Sequence, residues 1–459
     1  MSGAREEMLV VGAGLAGLVA ARELVLLGHP VRVLEASERA GGQLEACSLD
    51  GVRVDLGADR FTPDDELAAA LDRLALGAEL VAAEPTRTWL CTADDRTLPL
   101  PEPTLLGIPM APLSADAVAI TGRSAGWRAQ LDALLPGPVG SRAATLGALV
   151  RRRLGDDALE RLVAPVVLAL RGVHPDALPL SAVGGLKHHL LRENSLARAV
   201  ARVRLEGALP GQLDQSIATL RGGATVLVDR LLDELERFGV PIEHGVEVTG
   251  VAPDHVVLSG GGDGGGGDPD GGGDPDDGRD PDEAAERVRR GRVLVAAPGL
   301  VAGPPRDTTT DYSGDVAVLL VDAGAVVSAA LQGSLPAGGV LVDPRSSSLV
   351  RALDLPTARW GPLRDAAGGR AVVRVHYRDA PAGTPVDTEQ ARLDAQQLLG
   401  VSIPPAAVHA AAVRRWQTAG RIDVEGSEVP VVGEQIVGAD LDRIVAHARA
   451  TARAVGPPA

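Results

Sequence analysis

The chain has 459 residues, 45% of them hydrophobic and 2% aromatic, and carries a formal charge of -16. That length buries a sizeable core and predicts two or three domains, while the acidity argues against nucleic acid and an anionic membrane surface as partners. No apolar run reaches membrane-spanning length, and the polar stretch Met1–Glu7 leads straight into a strand. The expectation is therefore a cytoplasmic protein without a signal peptide or integral membrane segment, peripheral membrane contact being left open. Cys47 and Cys91, the only cysteines, lack metal-ligand spacing and read as free thiols.

Met8–Val11 reads as a strand, followed by the turn Gly12-Ala13-Gly14-Leu15-Ala16-Gly17, a helix, a break at Gly28-His29-Pro30, and a second strand Val31–Leu34 ending at Glu35. Gly12 allows the tight turn, Gly14 lets a pyrophosphate approach the backbone, and Gly17 lets the helix pack on the sheet. The free N–H groups at the helix start face the phosphates, and Glu35 accepts hydrogen bonds from an adenine-side ribose. This is a dinucleotide site.

Glu38-Arg39-Ala40-Gly41-Gly42-Gln43 adds a second glycine pair that a plain NAD domain does not need. The stretch LEASERAGGQ resembles the second signature of the FAD-dependent amine oxidase and protoporphyrinogen oxidase superfamily. The resemblance implies FAD, held by Gly12, Ala13, Gly14, Leu15, Ala16, Gly17, Glu35, Ala36, Arg39, Gly42 and Gln43.

Gly51–Asp55 reads as a short strand and Leu56–Phe61 as a tight turn before a helix over Glu66–Leu76. The turn resembles a family segment beside the flavin, which assigns Gly57, Ala58, Asp59 and Arg60 to the cofactor; Ala58 and Arg60 depart from its usual residues. Trp89–Cys91 and Leu98–Pro101 read as strands and turns, and Arg142–Leu154 and Ala158–Leu170 as helices. LRGVHPDALPLS resembles a segment of the family's helical substrate domain, with His174 at an aromatic position. Lys187-His188-His189 lacks ligand spacing and reads as a solvated helix face rather than a metal site.

The chain returns to the first domain from Gln215. A glycine turn feeds a helix through Glu236 with an apolar stripe at Val226, Leu227, Leu231 and Leu235. Gly245–Val251 resembles the family strand whose backbone, here at Val248, meets the adenine. Gly260–Glu283 is nearly all Gly, Asp and Pro and is expected to be a disordered, dispensable loop. Val293–Pro298 resembles the family's strand with its Ala-x-Pro ending, Val316–Val327 and Ala371–Tyr377 are strand-like, and Gln390–Leu399 reads as a helix closed by Gly400. Val413-Arg414-Arg415-Trp416 resembles the family's Val-x-Arg-Trp, which places Trp416 near the flavin, although Thr418–Arg421 departs from the usual continuation. Val429–Glu434 reads as a strand returning to the cofactor, with a terminal helix after it; the resemblance assigns Gly433, Glu434, Ala439, Asp440 and Leu441 to FAD. No cysteine lies there, so the flavin is expected to be non-covalent.

The fold class is α/β, a Rossmann-like FAD-binding domain built from discontinuous segments with an α+β substrate domain and a helical insertion. The expected FAD-binding segments are 1–75, 215–305 and 420–459, alternating with substrate segments 76–214 and 306–419. The resemblance implies oxidation of coproporphyrinogen III or protoporphyrinogen IX in haem biosynthesis, hydride passing to the flavin and dioxygen reoxidising it. The lack of lysine in Val316–Gly324 favours this over an amine oxidase. Arg60 is the one nominated substrate ligand, for a propionate, and no catalytic acid or base is assigned. A homodimer is left open. An amine oxidase or lipid desaturase of the same fold, and a non-catalytic flavin- or porphyrin-binding paralogue, are the alternatives.

Overall fold

Met8–Val11 is apolar and wholly buried, as a strand covered on both faces requires. It lies at the centre of a parallel sheet between Val31–Leu34 and Arg292–Val295, with Ile242–Glu243 outside Val31–Leu34. The crossover between the first two strands is the helix Leu15–Leu26, the connection a parallel pair demands. A computed structural model provides these coordinates. It describes residues 6–171, 173–206, 217–259, 287–306, 312–322, 324, 337–378, 386–418 and 420–457. The expected loop Gly260–Glu283 falls outside these, as do the residues after Asp322 in the run to Val327 apart from Gly324, Gln215, and Ala419.

The described chain divides into two units. The first comprises Met1–Gln43, Leu227–Pro304 and Arg421–Ala459. Besides the parallel sheet it holds an antiparallel sheet of Val248–Ala252, His255–Leu258 and Arg287–Arg290. Val248 is buried there in a cluster with Val11, Leu34 and Val295. Across the helix Leu15–Leu26 packs the terminal helix Leu441–Ala454. Arg449 and Arg453 of that helix donate to the buried Glu23 carboxylate at 3.1 and 2.9 Å, and Arg22 pairs with Glu234.

The expected strand Val429–Glu434 does not form. One parallel bridge joins Val431 to Val295, using the amides of Val295 and Val432. Pro430 has no N–H to extend the ladder, and Gly433 turns away at φ +111°.

The second unit comprises Leu44–Val226 and Pro305–Gly420. Its seven-stranded sheet runs in the order Val408–Thr418, Tyr312–Asp322, Arg370–Tyr377, Val350–Asp354, Val340–Val342, Trp89–Cys91, Thr97–Pro99. Only the pair Val340–Val342 and Trp89–Cys91 is parallel among these neighbours. One face packs on the helix Thr388–Leu399, which ends at Gly400 as expected. The other packs on the hairpin Ala46–Leu49/Val52–Asp55.

A helical region spans Ala115–Glu206. Its helix Leu146–Leu154 starts four residues later than expected, because the Thr145 hydroxyl caps the Ala148 amide. Arg153 is fully buried there, paired with Asp132 and donating to the carbonyls of Pro136, Val139 and Asn194.

Candidate functional site

The glycine turn of the first unit is closed by contacts that the sequence pattern only partly announces. A Cβ at Gly17 would stand 1.9 Å from the Gly12 carbonyl oxygen, so the helix meets the strand with no room for a side chain. Ala13 donates its amide to Glu35 Oε2 at 2.6 Å, and the amide and hydroxyl of Ser37 hold Oε1 at 2.9 and 2.6 Å. An ionised carboxylate has about four acceptor positions, so Glu35 retains capacity for a ribose hydroxyl.

The second glycine pair lies directly on the first turn. Gly41 donates to the Ala13 carbonyl at 2.8 Å and bridges Gly14. Gly42 adopts φ +57°, and a Cβ there would come within 3.1 Å of the Gly14 Cα. Gly14 itself caps the helix without a side chain, leaving the first-turn N–H groups to an outside acceptor. Arg39 folds back onto the Gly42 carbonyl at 2.8 Å. Ala36 follows Glu35 at the strand end.

Two residues from opposite ends of the chain also meet. Gln43 Nε2 donates to Glu434, and a Cβ on Gly433 would touch Ala16 Cβ at 3.5 Å. The segment Gly433–Glu434 therefore reaches the first turn of the helix Leu15–Leu26. Ala439 and Asp440 precede the terminal helix that starts at Leu441, where Asp440 is the N-cap.

The turn Gly57–Arg60 and Trp416 belong to the second unit. Asp59 and Asp354 are buried and face Arg374, whose Nη2 lies 2.6 and 2.9 Å from them. Arg374 also donates to the carbonyls of Asp55 and Gly57 at 3.3 and 3.1 Å, which fixes the turn. Burial alone would raise both aspartates. Arg374 outweighs it, helped by Arg60 at Asp59 and by His376 at Asp354, and holds both carboxyls below the usual range. Arg374 is held above its usual value, the two aspartates overcoming its burial.

Arg60 joins this cluster at 2.9 Å from Asp59 and 3.3 Å from Asp354, with 39% of its side chain exposed. Asp55 sits apart from the ion pairs. Its carboxylate accepts from Ala224 N at 2.7 Å and Thr225 Oγ1 at 2.7 Å, and burial pushes its pKa up. Trp416 packs against the cluster of Leu49, Val54, Leu56 and Val318, and its indole N–H is buried without an acceptor among the described residues.

Sequence reasoning missed Asp55, Asp354, Arg374 and Thr225. An aspartate ending a strand beside a Gly-Gly-x-Thr turn was the available signal for Asp55. Nothing local marked Arg374. The reading of Lys187–His189 needs correction: His189 is buried and its Nε2 lies 2.7 Å from Glu206, while Lys187 and His188 are exposed. Among the described residues no group of three His, Cys, Asp or Glu could hold a metal, and no helix is long and apolar enough to cross a membrane.

A parallel sheet, a glycine turn feeding a helix and a carboxylate at the end of the next strand define a dinucleotide-binding fold. The residues fit FAD, because the Gly14–Gly42 approach and the uncapped helix start leave a cradle that a Cβ would fill. The sequence pattern of the flavin containing amine oxidoreductases matches residues 15–266. The chain belongs to this family, which makes it an FAD-dependent oxidoreductase.

Among its relatives, the coproporphyrinogen III oxidase of Bacillus subtilis (strain 168) is 27% identical over 250 residues, 51% of this chain and 52% of that protein. The chain thus spans about half the length of that relative. The coproporphyrinogen III oxidase of Mycobacterium tuberculosis (strain ATCC 25618 / H37Rv) is 28% identical over 427 residues, covering 89% of this chain and 85% of the relative. A crystal structure of a candidate protoporphyrinogen oxidase from Exiguobacterium sp. 255-15 has the same fold, with a TM-score of 0.74, 18% identity, and coverage of 98% and 99% of the two chains.

Proposed function

We propose that this protein oxidises a porphyrinogen, coproporphyrinogen III or protoporphyrinogen IX, to the porphyrin, with dioxygen as electron acceptor in haem biosynthesis. The supporting observation is that likeness to a mycobacterial coproporphyrinogen III oxidase runs along nearly the whole chain. When bound, FAD supplies a two-electron sink for hydride leaving the oxidised carbon.

The chain's own residues hold and orient. In this reading the Gly12–Gly17 turn and the amides of Leu15 and Ala16 take the pyrophosphate, Glu35 the ribose, and the Val248 backbone the adenine. Ala36, Arg39, Gly42, Gln43, Gly433, Glu434, Ala439, Asp440 and Leu441 complete the same cradle. Gly57–Arg60 and Trp416 serve the ring end of the cofactor. The segments 1–75, 215–305 and 420–459 form the FAD-binding domain and the remainder the substrate domain. Arg60 offers its exposed edge to a substrate carboxylate. Because it already meets Asp59 and Asp354, a propionate would share the guanidinium rather than take it over.

The test is to load the purified protein with FAD and mix it anaerobically with each porphyrinogen. Bleaching of the flavin absorbance is the expected result, with porphyrin appearing once air is admitted and the flavin turns over repeatedly, and the faster substrate identifies the pathway branch. Flavin that stays oxidised with both, yet bleaches with amines, would replace this reading with an amine oxidase.

A further inference from the structure

The ion cluster of the second unit has two members that reach solvent, and both meet the same oxygen. Asp354 Oδ2 lies 2.9 Å from Arg374 Nη2, 3.3 Å from Arg60 Nη2 and 3.9 Å from His376 Nε2. Arg374 is buried, whereas 39% of the Arg60 side chain and 30% of the His376 side chain stay exposed. His376 follows Val372 and Arg374 at alternate positions of the strand Arg370–Tyr377, and alternate side chains of a strand share a face. Val372 packs with Val316 and Trp416, so Arg374 and His376 lie on the sheet face that carries Trp416.

Asp59 and Asp354 are met by Arg374 and Arg60, and the buried Arg359 bears on the same two carboxylates. Against these two aspartates the three arginines leave one positive charge in surplus, and Arg60 is the one of the three that reaches solvent. Asp55, the next acid, accepts from Ala224 and Thr225, and burial raises its pKa. Enclosure of the His376 ring, with Arg374 and Arg351 near it, lowers its pKa despite Asp354. On the other side of His376, across Val316, Arg414 is occupied by Glu45 at 2.9 Å. At neutral pH His376 is therefore an uncharged imidazole standing beside a guanidinium.

We propose that Arg60 and His376 together hold one carboxylate of the substrate, and that the imidazole takes a proton from solvent as the carboxylate arrives. An opposite charge within about 4–6 Å favours the protonated form of a histidine, so the anion supplies what the surrounding arginines withhold. The ligand then binds the protonated protein better than the neutral one. Its affinity rises as pH falls from about 8 to about 6. The identity of the ligand rests on the porphyrinogen reading, and the test reads binding rather than turnover.

The probe is coproporphyrin III, the porphyrin product, titrated calorimetrically into the FAD-loaded protein in buffers of different ionisation enthalpy. Saturable binding with net proton uptake near neutral pH is expected. In His376→Gln the side-chain amide still donates to Asp354 but does not titrate, so the uptake falls. The parent binds about 3- to 10-fold tighter than this variant at about pH 6 and about equally at about pH 8. Arg60→Ala weakens binding by about 3- to 10-fold at both ends of that range, since its charge does not titrate there. Proton uptake and pH dependence that are the same in the parent and His376→Gln overturn the inference and leave the oxidase reading standing. No saturation by coproporphyrin III at any pH overturns it too, and bleaching of the flavin by the porphyrinogen then decides the oxidase reading separately.

Discussion

Arg374 is the residue on which the turn Gly57–Arg60 depends. Two aspartates, buried in one place, are tolerable only because its guanidinium lies between them and spends its remaining donors on the backbone carbonyls of Asp55 and Gly57. Breaking a buried pair strands the other charge. Arg374→Met should accordingly lower stability by about 3–5 kcal/mol, measured as the shift in urea unfolding. The same cluster sets an acid limit. Asp59 and Asp354 titrate lower folded than unfolded, so as pH falls the unfolded chain takes up protons first. The stability they contribute is complete above the ordinary aspartate value, about 3.9, and is lost as pH falls below it. Unfolding midpoints measured from about pH 6 down to about pH 3 should drop in the parent and drop less in Arg374→Met. Asp55 runs the other way: burial raises it, so its contribution is lost as pH rises through its folded value.

At the scale of elements, one buried carboxylate ties the end of a strand to a distant turn. Asp55 ends the strand Val52–Asp55 and accepts from the amide of Ala224 and the hydroxyl of Thr225, just before the helix Val226–Arg237. Gly223 makes this possible. It adopts φ +100°, and a Cβ would stand 2.5 Å from Asp55 Oδ2. Gly223→Ala should cost about 1–3 kcal/mol from the backbone alone and more from the clash, read as a lower melting temperature that Asp55→Ala in the same chain partly relieves.

This joint also marks where sequence reading stops. The helix Val226–Arg237 was legible from its apolar spacing, and the fingerprint strands and helix Leu15–Leu26 from theirs. The strand Ala46–Leu49 was not, because Ala, Cys and Ser have little strand preference. The Asp50-Gly51 pair, at φ +44° and +79°, was the hairpin signal that would have found it. The contact of Gly41 and Gly42 with the first glycine turn, and the Gln43–Glu434 pair, join residues whose partners lie far away along the chain or on another turn. Spacing within a window cannot register such contacts.

Across the whole molecule, charge is distributed unevenly. Between Gly260 and Glu286 the sequence places ten acidic residues and one arginine, so -9 of the formal -16 sits in that stretch. The remainder of the chain is close to balanced, which suits its many internal Arg–carboxylate pairs. Those pairs in turn make the second unit sensitive to single substitutions. Arg153, fully buried with Asp132, answers to the same rule as Arg374.

The clasp of Glu23 by Arg449 and Arg453 has a bearing on the order in which the protein is made. The helix Leu15–Leu26 leaves the ribosome long before its cover, the helix Leu441–Ala454, and carries a carboxylate and an apolar face in the meantime. Until then that carboxylate has water or a chaperone for company, and the first unit cannot close. A chain stopped after Gly420 should emerge with the second unit able to fold and the first open. It should fail to retain FAD on gel filtration, and supplying residues 421–459 as a separate peptide should restore retention. Competence for the cofactor would then wait on the synthesis of residues 421–459, long after the glycine turn that defines the site.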